Sequence, residues 1–167
     1  MGPQPKASPQ ASLSDQGRYE TKKPERNGLA PIARQKVKID FDDGQSGELS
    51  LSQKHLDRYW RIDEAGQPRL LDAEDCGRGV LFPIFCPSSG RPTTARIDLQ
   101  DAMQNESYVQ LTCVKHKEYE SYLESNPGLD FFMLPRSADE LGIGASRMWI
   151  MKMARIVCPE SCAQSTA

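Results

Sequence analysis

Three short apolar runs, Val80–Phe85, Tyr108–Val114 and Phe131–Leu134, are each followed by a turn-rich stretch and then by residues at helical spacing. Runs of this length are strand-sized. Strands that alternate with helices pair in parallel, because a parallel neighbour needs a long crossover to return to the same end of the sheet. The first crossover helix is predicted from a cap at Thr93 or Thr94 through Ala95, Leu99, Ala102 and Met103. The second spans Lys117–Ser125, with Tyr119, Tyr122 and Leu123 on one side, and Asn126-Pro127-Gly128 stops it. The third covers Ala145–Arg155. The run Val80–Phe85 reads as a strand covered on both faces. It is interrupted only by Pro83, whose missing N–H suits a bulge or an edge.

Upstream, Val37, Ile39 and Phe41 alternate with Lys38 and Asp40, Asp42-Asp43-Gly44 supplies turn chemistry, and Leu49 and Leu51 alternate again. This is the pattern of a β-hairpin. Leu56, Tyr59 and Trp60 follow at helical spacing behind Ser52 as N-cap, and both aromatics read as core. Asp63–Gly79 is polar and turn-rich, a long connection. From Met1 to about Ala33 the chain is Pro, Gln, Ser, Lys and Gly with isolated apolar residues. Such a segment cannot bury enough area to offset the entropy of ordering. The expected organisation is a disordered tail over 1–35, then hairpin, short helix and connecting loop over 36–79. Half of an α/β domain follows over 80–155, and an irregular tail over 156–167.

The 21 basic and 23 acidic residues nearly cancel, which excludes a polycationic nucleic-acid glove. A hydrophobic share of 38% with twelve Pro and twelve Gly means that part of the chain stays outside any core. The N-terminus lacks the apolar run of a secretory signal, and no stretch approaches the roughly 20 apolar residues of a membrane span, so a soluble, intracellular chain without a membrane partner is expected. Five irregularly spaced cysteines fit reduced thiols better than a disulfide framework. Cys158 and Cys162 bracket Pro-Glu-Ser, yet no second pair or nearby His completes a zinc site, and no metal ligands are assigned.

Ligands of parallel sheets sit at the carboxyl ends of the strands. Here those ends are the Ser88–Pro92 loop, the residues after Val114, and the Pro135–Arg147 loop. The first offers two hydroxyls, a glycine and Arg91 ahead of a predicted helix start; the third offers Gly142-Ile143-Gly144 with Ala145, Ser146 and Arg147. Free backbone N–H groups and an arginine fork can together hold a phosphate. Neither loop is a dinucleotide fingerprint or a Walker loop. His55 and His116 are the two histidines. His116, after the second strand, is placed to serve a phosphate-binding hydrolase as base, but no serine elbow or cysteine motif accompanies it.

The string Phe82-Pro83-Ile84-Phe85-Cys86-Pro87-Ser88-Ser89-Gly90-Arg91-Pro92 is followed by Tyr119 with Tyr122, by Asp130-Phe131-Phe132-Met133-Leu134-Pro135, and by Gly142-Ile143-Gly144-Ala145-Ser146-Arg147-Met148-Trp149. This order resembles the first half of GT-A glycosyltransferases related to base-modifying glucosyltransferases, and within them the domain found in the vertebrate oestrogen-induced growth-regulation proteins. The resemblance covers roughly Val80–Ala154. It implies a partial GT-A, Rossmann-like sheet and a UDP-sugar donor, with Pro87, Ser88, Gly90 and Arg91 by the nucleotide and Gly144 and Arg147 facing it from the other loop. It implies too a nuclear setting, an oestrogen-responsive co-regulator role and nuclear protein partners such as a hormone receptor; nucleic acid as acceptor or partner stays open.

Two departures follow. Ser89 stands where a lysine is common in the family loop. The strand ending in the Asp-x-Asp element that holds Mn or Mg has no counterpart after the last helix, and Asp42-Asp43, the one adjacent aspartate pair, precedes the parallel strands. The expectation is a truncated glycosyltransferase-like domain with no catalytic residues of its own, in which the divalent metal belongs only to a full-length parent. The competing expectation is a non-enzymatic nuclear scaffold segment. In either case the third strand is expected to carry a bare edge.

Overall fold

The computed structural model describes residues 31–160, so the expected tails before residue 31 and after residue 160 lie outside it. The alternation at Val37, Ile39 and Phe41 builds β1 (Arg34–Asp40), starting two residues earlier than the pattern suggested. The Asp42-Asp43-Gly44 turn returns the chain as β2 (Ser46–Ser52), antiparallel to β1. Ser52 caps α1 (Gln53–Tyr59), its Oγ accepting from the His55 N–H at 3.4 Å. Trp60 is not helical: it opens β3 (Trp60–Ile62), paired with β4 (Pro68–Leu70). The segment read as a plain connection thus holds a small ribbon and a helical turn, α2 (Ala73–Cys76). Asp63 is the reason. Its side chain accepts from the Ala65 and Gln67 N–H groups and from Arg69, tying the tip of the ribbon.

The parallel part is shorter than the apolar runs. It consists of β5 (Ile84–Pro87), β6 (Gln110–Val114), α3 (Tyr119–Ser125, entered through a 3-10 turn at His116–Glu118), β7 (Phe131–Met133) and α4 (Ile143–Val157). The sheet order is β1-β2-β7-β6-β5, with β5, β6 and β7 parallel to one another. Two expectations about β5 are corrected. Val80–Pro83 lies outside the strand, with Leu81 and Phe82 exposed, and β5 is an edge strand whose residues are half-buried or exposed, not covered on both faces. The Ile84 N–H bonds Val109 O and the Ser88 N–H bonds Cys113 O, so the alternate positions, Pro83 just before and Phe85 and Pro87 between, turn their backbone outward. Two of those three positions are prolines and carry no N–H to offer.

The helix predicted over Thr93–Met103 does not form. Isolated turns occupy the segment, marked by Ala95 N–H to Arg91 O and Met103 N–H to Leu99 O. Asp98 accepts from Gln100 N–H, Asn105 adopts φ 65°, and only Ile97 is buried. Asp and Asn that bond their own backbone compete with helix, and a single buried apolar residue cannot repay the ordering.

The bare edge expected for the third strand is also absent. β2 pairs with β7 antiparallel, Glu48 opposite Met133 and Ser50 opposite Phe131. Gly47 makes the approach feasible: a Cβ there would meet the Phe132 ring at 2.6 Å and Met133 O at 2.9 Å. Arg34 rivets the joint, donating to Ser50 Oγ at 3.0 Å and to the carbonyls of Pro127 and Leu129. Asp130 completes it, accepting from Ser52 N–H at 2.8 Å and contacting His55 Nδ1 at 2.7 Å.

Period-two alternation divides the core. Phe132, Leu134, Leu111, Cys113, Leu49 and Leu51 face α1 and α4, whose Trp149, Ile150, Met153 and Val157 close that layer. Phe131, Met133 and Val114 face α3 through Tyr119 and Tyr122. Buried side chains of this size each contribute roughly 1.5–3 kcal/mol. α3 and α4 therefore lie on opposite faces. Among the described residues no helix is long and apolar enough to cross a membrane.

Candidate functional site

The loop after β5 is built by its neighbours on α3. Pro87 is exposed at the strand end, whereas Ser88 is buried with its Oγ 2.7 Å from Tyr122 Oη. The same phenol oxygen accepts from Arg91 N–H at 3.2 Å. Between them Gly90 takes φ +68°, a left-handed conformation that only glycine adopts freely, and this turns its N–H onto Glu118 Oε1 at 2.8 Å. Ser89 Oγ donates to the same oxygen at 3.3 Å. The Arg91 guanidinium is exposed, and no described residue pairs with it.

The second loop is differently made. A 3-10 turn (Arg136–Ala138) leads to Gly142, the N-cap of α4, which supplies no side-chain bond, and the first turn of α4 carries no acid. Gly144 on that turn and Arg147 on the next are exposed. With Met148, Met151, Lys152 and Arg155 they line a shallow groove of about 340 Å3. Both loops follow carboxyl ends of parallel strands. Pro87, Ser88, Gly90 and Arg91 are brought together on the α3 side, and Gly144 and Arg147 on the α4 side; no described contact joins the two sets.

The same edge gathers residues distant in sequence. Antiparallel β2 brings the Asp42-Asp43 turn to the carboxyl end of β7, where Gln45 meets Ser137 and Lys152 Nζ lies 3.2 Å from Asp43 Oδ2. The Gln45 N–H and Lys152 hold the Asp43 carboxyl below its ordinary range. Lys117 pairs with Glu140 at 2.6 Å, raising the ammonium and lowering the carboxyl. His116, partly exposed, sits 3.9 Å from Glu48 and has no nucleophile beside it in the described contacts. Burial pushes the Cys113 thiol well above the ordinary range and raises Cys86 too, so neither is a thiolate near neutral pH. No three metal-ligating side chains converge among the described residues, and Asp43 is already engaged by Lys152. The described residues do not fit a metal.

Glu118 escaped the sequence reading. Its one signal is position: an acid at the entrance to a helix, four residues past a strand end.

The family model described as TET-associated glycosyltransferase matches residues 82–165, half of the chain. The chain belongs to this family. The GREB1-like proteins of mouse and of human are each 35% identical to it over 75 residues, 45% of this chain. That stretch is 4% of each relative's length, so the chain spans a small part of the proteins it matches. No solved structure matches. The family match takes in β5 to α4 and hence both strand-end loops; the β1–β2 hairpin that covers β7 lies before it.

Proposed function

We propose that this glycosyltransferase-like domain binds the nucleotide part of a UDP-type sugar donor at the carboxyl edge of β5–β6–β7. The observation that carries this reading is the Ser88–Arg91 loop: a left-handed glycine and a solvent-facing arginine held rigidly at the end of a parallel strand. An arginine fork matches the oxygens of a diphosphate, and a strand-end loop is where such sheets take nucleotides. In this reading Pro87, Ser88 and Gly90 shape the nucleotide contact and Arg91 supplies charge. Gly144 and Arg147, on the α4 side of the sheet, line a separate groove and are not part of this contact. Acceptors are nuclear proteins or nucleic acid.

Transfer also needs the charge developing on the leaving diphosphate to be offset. Two exposed arginines are what these loops offer, so turnover, and any use of Mn or Mg, belongs to a longer parent. Titration calorimetry of the chain with UDP, with and without manganese, tests the reading. Binding that Arg91→Ala weakens about tenfold or more is expected, since a hydrogen bond to a charged group is worth roughly 1.5–3 kcal/mol. Equal affinity in the two chains would sink it.

A second reading has its own observation: the Gly90 and Arg91 N–H groups and the Ser88 and Ser89 hydroxyls already have partners within the chain. This favours a non-enzymatic scaffold segment in a nuclear co-regulator, with protein partners of the hormone-receptor kind. Absence of any UDP heat, together with nuclear accumulation of the tagged chain, is its expected signature.

A further inference from the structure

The loop that would take an oxyanion already holds one. Glu118 Oε1 accepts from both Gly90 N–H and Ser89 Oγ, the donor pair that a phosphate oxygen would use. Lys117 lies close enough to feel the charge of this carboxylate, but no cation among the described residues forms an ion pair with it. Its other oxygen, Oε2, is shut from solvent without a hydrogen-bond partner in the described structure. A carboxylate satisfied on one side and stranded on the other is a poor permanent clasp. It is a good placeholder, because an incoming oxyanion can inherit the Gly90 and Ser89 donors while Glu118 swings out to water. Two anions cannot share those donors, since like charges at hydrogen-bond distance repel strongly.

We infer that Glu118 is the resident anion of the Ser88–Arg91 loop, and that it excludes phosphate from Gly90 N–H and Ser89 Oγ until it is displaced. The inference rests on the donor-site reading above and deepens it: Glu118 sets the threshold for occupation of the loop. The adjacent Arg91 guanidinium, one residue beyond the contested N–H, is unpaired in the described structure and available to an arriving phosphate.

The test uses the full chain, isotope-labelled, with inorganic pyrophosphate as probe and the Ser89, Gly90 and Arg91 amide signals as readout. Glu118→Gln keeps an acceptor for Gly90 N–H and removes the charge, whereas Glu118→Ala frees the donors outright. Both are expected to tighten pyrophosphate binding at these amides on the order of tenfold relative to the unaltered chain. Glu120→Gln, on the exposed side of α3, is expected to change nothing. Equal responses in the unaltered chain and both Glu118 variants overturn the inference. So does an absent response in both variants, which would leave Glu118 as a fastener only. A parallel titration with UDP separates the two readings. If the variants gain pyrophosphate affinity but bind UDP no better than pyrophosphate, the nucleotide reading fails while Glu118 keeps its role.

Discussion

The Ser88–Arg91 and Gly142–Arg147 loops look alike as sequence, each setting glycine, serine and arginine after a parallel strand, and they differ in how the fold treats them. The first is fastened: Tyr122 Oη bridges Ser88 and Arg91, and Glu118 holds Gly90 and Ser89. The second opens α4 with an N-cap that gives no side-chain bond and with Gly144 and Arg147 on the surface. What separates them is the preceding or following helix, not the loop. α3 sends two polar groups up to its loop, and the first turn of α4 carries no acid to send. A motif rich in donors is thus a measure of what a loop can bind, and the neighbouring helix decides whether it has already bound it.

Removing the bridge breaks the comparison hardest. Tyr122→Phe leaves a fully buried ring in place but strands Ser88 Oγ and the Arg91 N–H, and a loss of about 2 kcal/mol is expected in denaturant unfolding. Faster amide exchange should appear at residues 88–91 and not at 142–147. An unchanged midpoint would mean that the first loop is no more fastened than the second.

The same substitution made in both loops should have opposite signs. Gly90→Ala forces a side chain into φ +68° and should cost about 1 kcal/mol, although its Cβ meets open space. Gly144→Ala, inside α4 with nothing within 4 Å of the added methyl, should stabilise by roughly 0.5–1 kcal/mol. Thermal melts of the two variants against the parent check both signs.

The smallest effect lies between the loops, at Lys117 and Glu140. Hydrogen bonding to Lys117 lowers the Glu140 carboxyl, so its contribution is complete above about pH 4.5 and fades as pH falls through the folded value. Glu140 raises Lys117, whose contribution is complete below about pH 10.5 and fades as pH rises beyond it. The small stability difference between the parent and Glu140→Gln should therefore be flat from about pH 5 to about 10 and shrink as pH falls below about 4.5. A difference that grows at pH 3 would reverse the assignment.

Sequence carried the local part of this fold well. Continuous apolar residues marked β6 and β7, alternation marked the hairpin, and the Met148–Met153 spacing marked α4, because each pattern reflects burial within one element. The pairing of Glu48 with Met133 had no such local signature; it depends on Gly47 clearing the Phe132 ring and on Arg34 and Asp130 meeting across the joint. The segment Thr93–Met103 misled for the converse reason: its spacing is helical, but only Ile97 is buried in the core, and the Asp98 side chain takes the nearby Gln100 N–H instead. At the site, Ser88, Gly90 and Arg91 could be picked out by type and place. Glu118 and the bridging role of Tyr122 Oη could not, since an acid and a phenol near a helix start are ordinary until the chain folds them over a loop.

The two rims of the sheet resist polymerisation by different chemistry. Along β1 the rim is guarded by Lys36, Lys38 and Asp40, all exposed, and salt that shrinks the Debye length to about 3 Å at 1 M removes most of that guard. Along β5 the guard is covalent, for Pro83 and Pro87 leave Phe85 as the one outward amide of three consecutive outward positions. No change of ionic strength restores a hydrogen to a proline nitrogen. Strand-by-strand growth in concentrated salt should accordingly begin from the hairpin rim and stall wherever it reaches β5, giving short oligomers in place of fibres.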